Sequence, residues 1–205
     1  MSVPSKHSLR AMRLAAPPSR RAIFGRLASL GALCGLLAAC APAFNWREVR
    51  PGDPAVAVML PGKPASLTQR VLLDGFDLPM SMTGAKVEGV AFTVACAVLP
   101  DAQADTRERV LAAMRSGMVR NLAGTEEAAE KIEVGLVDAA GERRGLAPAW
   151  RVRVAGSIQS RPARMLAVFV GEGRRACQAV ALGESLPDDE ARQFADSLRL
   201  IVAAG

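Results

Sequence analysis

Between residues 56 and 99 the apolar side chains come in short runs cut by turn signals. Val56-Ala-Val-Met-Leu60 is an apolar strand stopped by Pro61-Gly62-Lys63-Pro64. Residues 68–73 predict a second strand and 76–83 a third, with Asp74-Gly75 between them as a tight turn, because glycine tolerates positive φ. Pro79 cannot donate to a ladder, so the third strand is expected at an edge or a bulge. Residues 87–99 form the longest predicted strand. Its alternation puts Phe92, Val94, Cys96 and Val98 on one face and Thr93, Ala95 and Ala97 on the other.

The period then changes. Leu111, Met114, Met118 and Leu122 recur at three- and four-residue steps, which is a helical stripe. Asp105 and Glu108 make a capping-box-like pair at its start, and Gly124 ends it. Four more strands are expected over 132–138, 149–158, 164–170 and 176–182, with turns at Gly141, Ser160-Arg161-Pro162 and Gly171–Gly173. In 149–158, Trp150, Val152 and Val154 point one way and Arg151 and Arg153 the other, so Trp150 is expected in the core. A last helix opens at Pro187-Asp-Asp-Glu190, with acids at its positive end, and buries Ala191, Phe194, Ala195 and Leu198. The short turns predict an α+β fold, a mostly antiparallel sheet of about seven or eight strands covered by two helices.

Charge changes the picture at the N-terminus. The chain of 205 residues carries a formal +6, yet residues 1–39 hold Lys6, Arg10, Arg13, Arg20, Arg21 and Arg26 and no acid. The rest holds equal numbers of basic and acidic side chains, so the charge marks an export segment and argues against nucleic acid as a partner. Residues 27–39 are uncharged and fall short of the roughly 20 apolar residues that span a bilayer. Leu37-Ala38-Ala39-Cys40 resembles the lipobox of bacterial lipoproteins. That resemblance implies a signal peptide over 1–39 and acylation of Cys40, with palmitate among the chains, as the mature N-terminus. It also implies an acylated tether over 40–53 and a single periplasmic domain over 54–205. More than one acyl chain suffices for stable anchoring. Ala41 and Pro42 follow the cysteine, and by the same resemblance this favours the periplasm-facing side of the outer membrane. Ser19-Arg-Arg-Ala-Ile-Phe24 is similar to a degenerate twin-arginine signal, and Sec export stays open beside it. Phe44 and Trp46, in the tether, are expected to pack on the domain in preference to the lipid headgroups.

The start over 59–64, the long strand ending in Leu99-Pro100 and the closing Phe194-Ala-Asp-Ser-Leu-Arg-Leu200 resemble PsbP-like proteins in element order over residues 54–202. That resemblance implies a layered sheet between helices and an accessory, assembly or binding role. It transfers no catalytic residue.

The chemistry available is limited. His7 is the one histidine and the chain has no tyrosine, so a domain after Cys40 has no imidazole for Ser-His-Asp or Cys-His catalysis or for His-ligated zinc. No phosphate loop or metal-ligand spacing is present, and no cofactor is expected. Cys96 and Cys177 are the two thiols of the domain, in an oxidising compartment, and a disulfide and two buried free thiols both remain open. Residues 143–175 hold eight arginines against Glu172. They form either solvated faces paired across the fold or an anionic contact, for which Arg151, Arg153 and Arg164 are the candidates, facing lipid headgroups or an acidic envelope protein. The expected function is a non-enzymatic, membrane-anchored lipoprotein that binds in the envelope. The alternative is a small-molecule carrier with an apolar pocket between sheet and helix, where Ala95, Ala97, Ala179 and Ala181 leave room.

Overall fold

The computed structural model describes residues 43–52 and 55–203. Their strands are β1 (Arg47–Val49), β2 (Val56–Leu60), β3 (Ala65–Leu73), β4 (Phe76–Val87), β5 (Val90–Val98), β6 (Thr125–Val137), β7 (Arg143–Ile158), β8 (Arg161–Glu172), β9 (Arg175–Gly183) and β10 (Arg199–Ile201). The helices are α1 (Ala104–Asn121) and α2 (Asp188–Asp196). All ten strands join in one sheet, ordered β1-β2-β10-β6-β7-β8-β9-β5-β4-β3. Every pairing is antiparallel except β10 on β6.

This corrects the expected fold class. The molecule is mostly sheet, a curled half-barrel of ten strands that is 17% helical, and it is not a seven- or eight-stranded layer covered by two helices. Three strand features account for the difference. β1 and β10 are three residues each, too short for alternation to show. β6 begins at Thr125, because the polar run Thr125-Glu-Glu-Ala-Ala-Glu-Lys131 forms a strand exposed on both faces. The predicted strand over 87–99 is broken at Glu88-Gly89, a two-residue hairpin turn with φ of 49° and 80°.

Apolar runs build the centre. Val90–Val98 reads VAFTVACAV and Arg175–Gly183 reads RACQAVALG, and both strands are buried on both faces. A strand covered on two sides needs two covers, and the helices supply one each. On one face Phe92, Val94, Cys96, Leu166 and Val168 meet Ala191, Phe194 and Ala195 of α2. On the other, Ala95, Ala97, Ala167 and Phe169 meet Val110 and Met114 of α1. The covers do not reach the whole sheet, since β3 and the first half of β6 stay exposed. Burying one large side chain contributes about 1.5–3 kcal/mol. Phe92 is fully buried and meets Phe194 edge-on at 5.5 Å and Trp46 at 5.6 Å.

Local details follow the same physics. Pro79 lies in an interior strand, and the β4–β5 ladder starts only at Met80, so its missing N–H leaves no gap. Asp105 does not cap α1. The N-cap is Gln103, and Asp101 one turn upstream accepts from the Gln103 amide at 2.9 Å and the Thr106 hydroxyl at 3.2 Å. Gly156 is required, because a Cβ there would meet the Leu122 carbonyl at 2.3 Å where α1 turns onto β7. The folded unit begins at Ala43. Phe44 and Trp46 stack at 6.0 Å and pack on the α2-side core, and the Asn45 amide donates to the Pro61 carbonyl at 2.9 Å. Residues 44–50 thus belong to the domain rather than to a tether over 40–53.

Cys96 and Cys177 face each other across β5 and β9 and are joined by a disulfide. They close a sequence separation of 81 residues, and chain entropy assigns such a crosslink about 4 kcal/mol. Once denatured, the chain should take up maleimide at Cys96 and Cys177 only after reduction. The Cys96→Ser/Cys177→Ser variant should lose stability by about 2–5 kcal/mol in urea unfolding. An unchanged midpoint would show that the bridge adds nothing.

Candidate functional site

Of the arginines of 143–175, Arg151, Arg153 and Arg175 are half-buried on acids or carbonyls, and the other five are exposed. Alternation along β7 aims Arg151 and Arg153 at α2, and they hold its two ends. Arg151 pairs with Glu130 of β6 at 2.8 Å and with Asp196 at the end of α2. Arg153 pairs with Asp188 at the start of α2 at 2.9 Å. Their side chains are only 16% and 27% exposed, which corrects the expectation that both point outward to bind. Arg151 Nε and Arg153 Nη2 are enclosed with no hydrogen-bond partner among the described residues, so the clamp is held at some desolvation cost. Arg164 differs. It is 61% exposed, with Glu127 at 3.7 Å, so the three candidates do not form one face.

The remaining arginines are largely engaged as well. Arg144 pairs with Asp138 and Glu142, and Arg161 with Glu184. Hydrogen bonding from Arg144 holds the Asp138 carboxyl below the usual carboxylate range, and the Glu142 amide, donating at 2.9 Å, acts the same way. Arg174 donates to the Leu99 carbonyl. Arg175 donates to Ala55 and Ile201, both at 2.7 Å, and ties the two ends of the domain together. Burial pushes its pKa down. The local positive charge is therefore mostly neutralised within the fold.

The four small residues expected to leave a pocket do not share one. Ala95 and Ala97 lie in the α1-side core, Ala179 and Ala181 in the α2-side core, and all four are fully buried. The apolar opening is elsewhere, in a groove of about 470 Å³ between α1 and β7–β8. Leu111 and Ala112 form one wall, and Pro148, Trp150 and Phe169 the other. Trp150 is not a core residue. It shares a face with Val152 and Val154 but lies beyond the cover of α1, and it is 39% exposed. The Arg115 guanidinium sits 5.0 Å and the Lys131 ammonium 5.6 Å from its ring centroid. Arg115 is fixed by Glu126, donating from Nε at 2.7 Å. That hydrogen bond raises the Arg115 pKa and lowers that of Glu126. The result is an aromatic platform with cations over it and mixed charge at the rim, from Arg107, Glu108 and Glu172. Alternation alone could not find it, because the register Lys131↔Trp150 depends on β6 starting at Thr125.

Cys40 lies outside the described residues. No described helix is long and apolar enough to cross a membrane. Among the described residues, no group of three or more His, Cys, Asp or Glu side chains is placed to hold a metal.

No protein-family model matches the chain, and no curated protein matches it in sequence. Among solved structures it is similar to a protein of unknown function from Pseudomonas aeruginosa, PA94. The identity is 9% and the TM-score 0.31, over 67% of this chain and 82% of that one.

The clamp on α2 makes a stability prediction. Arg151→Gln should cost about 1–3 kcal/mol in urea unfolding, the range for hydrogen bonds to charged groups. Partners recovered from envelopes should be unchanged. Unchanged stability with loss of a partner would return Arg151 to a binding role.

Proposed function

We propose that this protein is a non-enzymatic lipoprotein, held by acylated Cys40 on the periplasmic side of the outer membrane, whose domain binds an envelope partner close to the lipid surface. The observation that supports this reading best is where the fold starts. Phe44 is already packed on the core, and β1 follows at Arg47. Four residue steps separate Cys40 from Phe44, and at 3.3–3.6 Å per step they reach at most about 14 Å. A domain so tethered stays against the headgroups and cannot survey the periplasm. The absence of histidine and tyrosine after Cys40 favours binding over proton-transfer chemistry.

The groove beside α1 supplies a surface for such a partner. Exposed tryptophan with arginine and an apolar floor is the composition that carries binding energy at protein interfaces. The same groove favours the second reading, a carrier of a small apolar ligand, because its volume falls in the range of small-molecule sites.

Tether length separates this reading from a freely roaming lipoprotein. In Cys40→Ser, palmitate incorporation should vanish. A flexible insert of about 20 Gly/Ser residues after Ala43 should leave acylation intact and sharply reduce recovery of membrane-proximal partners after crosslinking in intact envelopes. Normal labelling of Cys40→Ser would end the anchoring claim. Undiminished recovery with the long tether would end the claim of close holding.

A further inference from the structure

The sheet has two ends of very different character. β1 is three residues long and carries the charged pair of its Glu48 with Arg50 just after it. β3 is nine residues, Ala65-Ser-Leu-Thr-Gln-Arg-Val-Leu-Leu73, paired with β4 at every position without a bulge. Long, flat edges recruit foreign strands, and proteins usually block them with proline, lysine, bulges or brevity. β3 has none of these. Its one charge, Arg70, is drawn to its own hairpin, with Nε 2.8 Å from the Asp77 carboxylate and Nη2 2.7 Å from the Asp77 carbonyl. Two of the molecule's exposed large apolar side chains, Leu67 at 53% and Leu72 at 75%, are on this strand.

The turn identifies which backbone groups of β3 have no strand partner among the described residues. Asp74 and Gly75, with φ of 48° and 82°, close a two-residue hairpin on the pair Leu73↔Phe76. The closing pair of such a hairpin exchanges both backbone hydrogen bonds. Leu73, Val71, Gln69, Leu67 and Ala65 therefore direct N–H and C=O toward β4. Ser66, Thr68, Arg70 and Leu72 direct theirs outward.

We infer that β3 is a strand-addition surface whose occupant is β3 of a second copy, antiparallel and centred on Gln69. This register uses the whole strand and pairs outward-bonding residues with each other, Ser66 with Leu72 and Thr68 with Arg70. On the α1 side it sets Leu67 against Val71 and Ala65 against Leu73, apolar against apolar. Arg70 directly opposes Thr68; its own copy is the diagonal neighbour, and each Arg70 is neutralised by Asp77 of its own hairpin. The strand carries no charge pattern that would select a foreign sequence, whereas on the α1 side its apolar residues meet those of its copy; on the other face Leu72 falls against Ser66. The resulting interface is isologous, with the two-fold axis normal to the sheet, and it removes the exposed edge from both copies.

A cysteine at the centre reads out the register. In this dimer Gln69 opposes its own copy in a non-hydrogen-bonded pair, where Cα atoms lie about 4.5 Å apart, within disulfide range. Leu72 would be about 20 Å from its own copy. The full chain, extracted in detergent, should sediment as a dimer. Under mild oxidation Gln69→Cys should give a covalent dimer and Leu72→Cys should not. Leu72→Pro removes an outward N–H and should give a folded monomer with an unchanged far-UV CD spectrum, whose Tm no longer rises with protein concentration as that of the wild-type dimer does. A monomeric wild-type chain, a Gln69→Cys adduct to a different protein, or equal self-crosslinking at both positions would overturn the inference.

Discussion

The structure depends on burying both faces of its central strands. β5, β8 and β9 carry apolar residues on each side, and their middle positions are closed to solvent. Neither face can be left to water, so the chain must deliver one helix to each. It does so with the long β5–α1–β6 excursion on one side and with α2 at the C-terminus on the other. The Cys96–Cys177 bridge sits at the join of two of these strands and ties β5 to β9. The aromatic contacts of Phe92 with Phe194 and Trp46 then draw the N-terminal segment into the same core.

Much of this was legible in the residues. The runs of β2, β5, β8 and β9 and the stripes of both helices announce buried elements through periodicity alone. What stayed hidden was set by pairing. β1 and β10 gain strand structure only by adding to β2 and β6. Thr125–Lys131 has no apolar face, and only its ladder with β7 makes it a strand. The arginines show the same limit. Alternation placed Arg151 and Arg153 on one face correctly, but it could not reveal that α2 lies on that face with Asp188 and Asp196 at its ends. Trp150 was placed on the right face, yet its exposure depends on where α1 stops.

Three features lie at the margins of the core, and they are the surfaces on which the proposed contacts rest. The Trp150 groove lies at the margin of α1. β3 ends the sheet, and among the described residues its outer backbone groups have no strand partner. The N-terminal segment is pinned so soon after Cys40 that anchoring there would dictate the distance between domain and lipid. The outer edge of β3 is not required by the packing of the centre, whereas Phe44, Trp46 and Phe169 also belong to it.

The central claim, that two-sided burial of β5, β8 and β9 holds the domain while its margins open more readily, is tested most directly by native-state hydrogen exchange of the full chain. The account predicts that amides of these three strands exchange last and together, at the rate of global unfolding. Those of Thr125–Lys131 should exchange orders of magnitude sooner. Exchange at one uniform rate across all ten strands, or early exchange in β9, would contradict it.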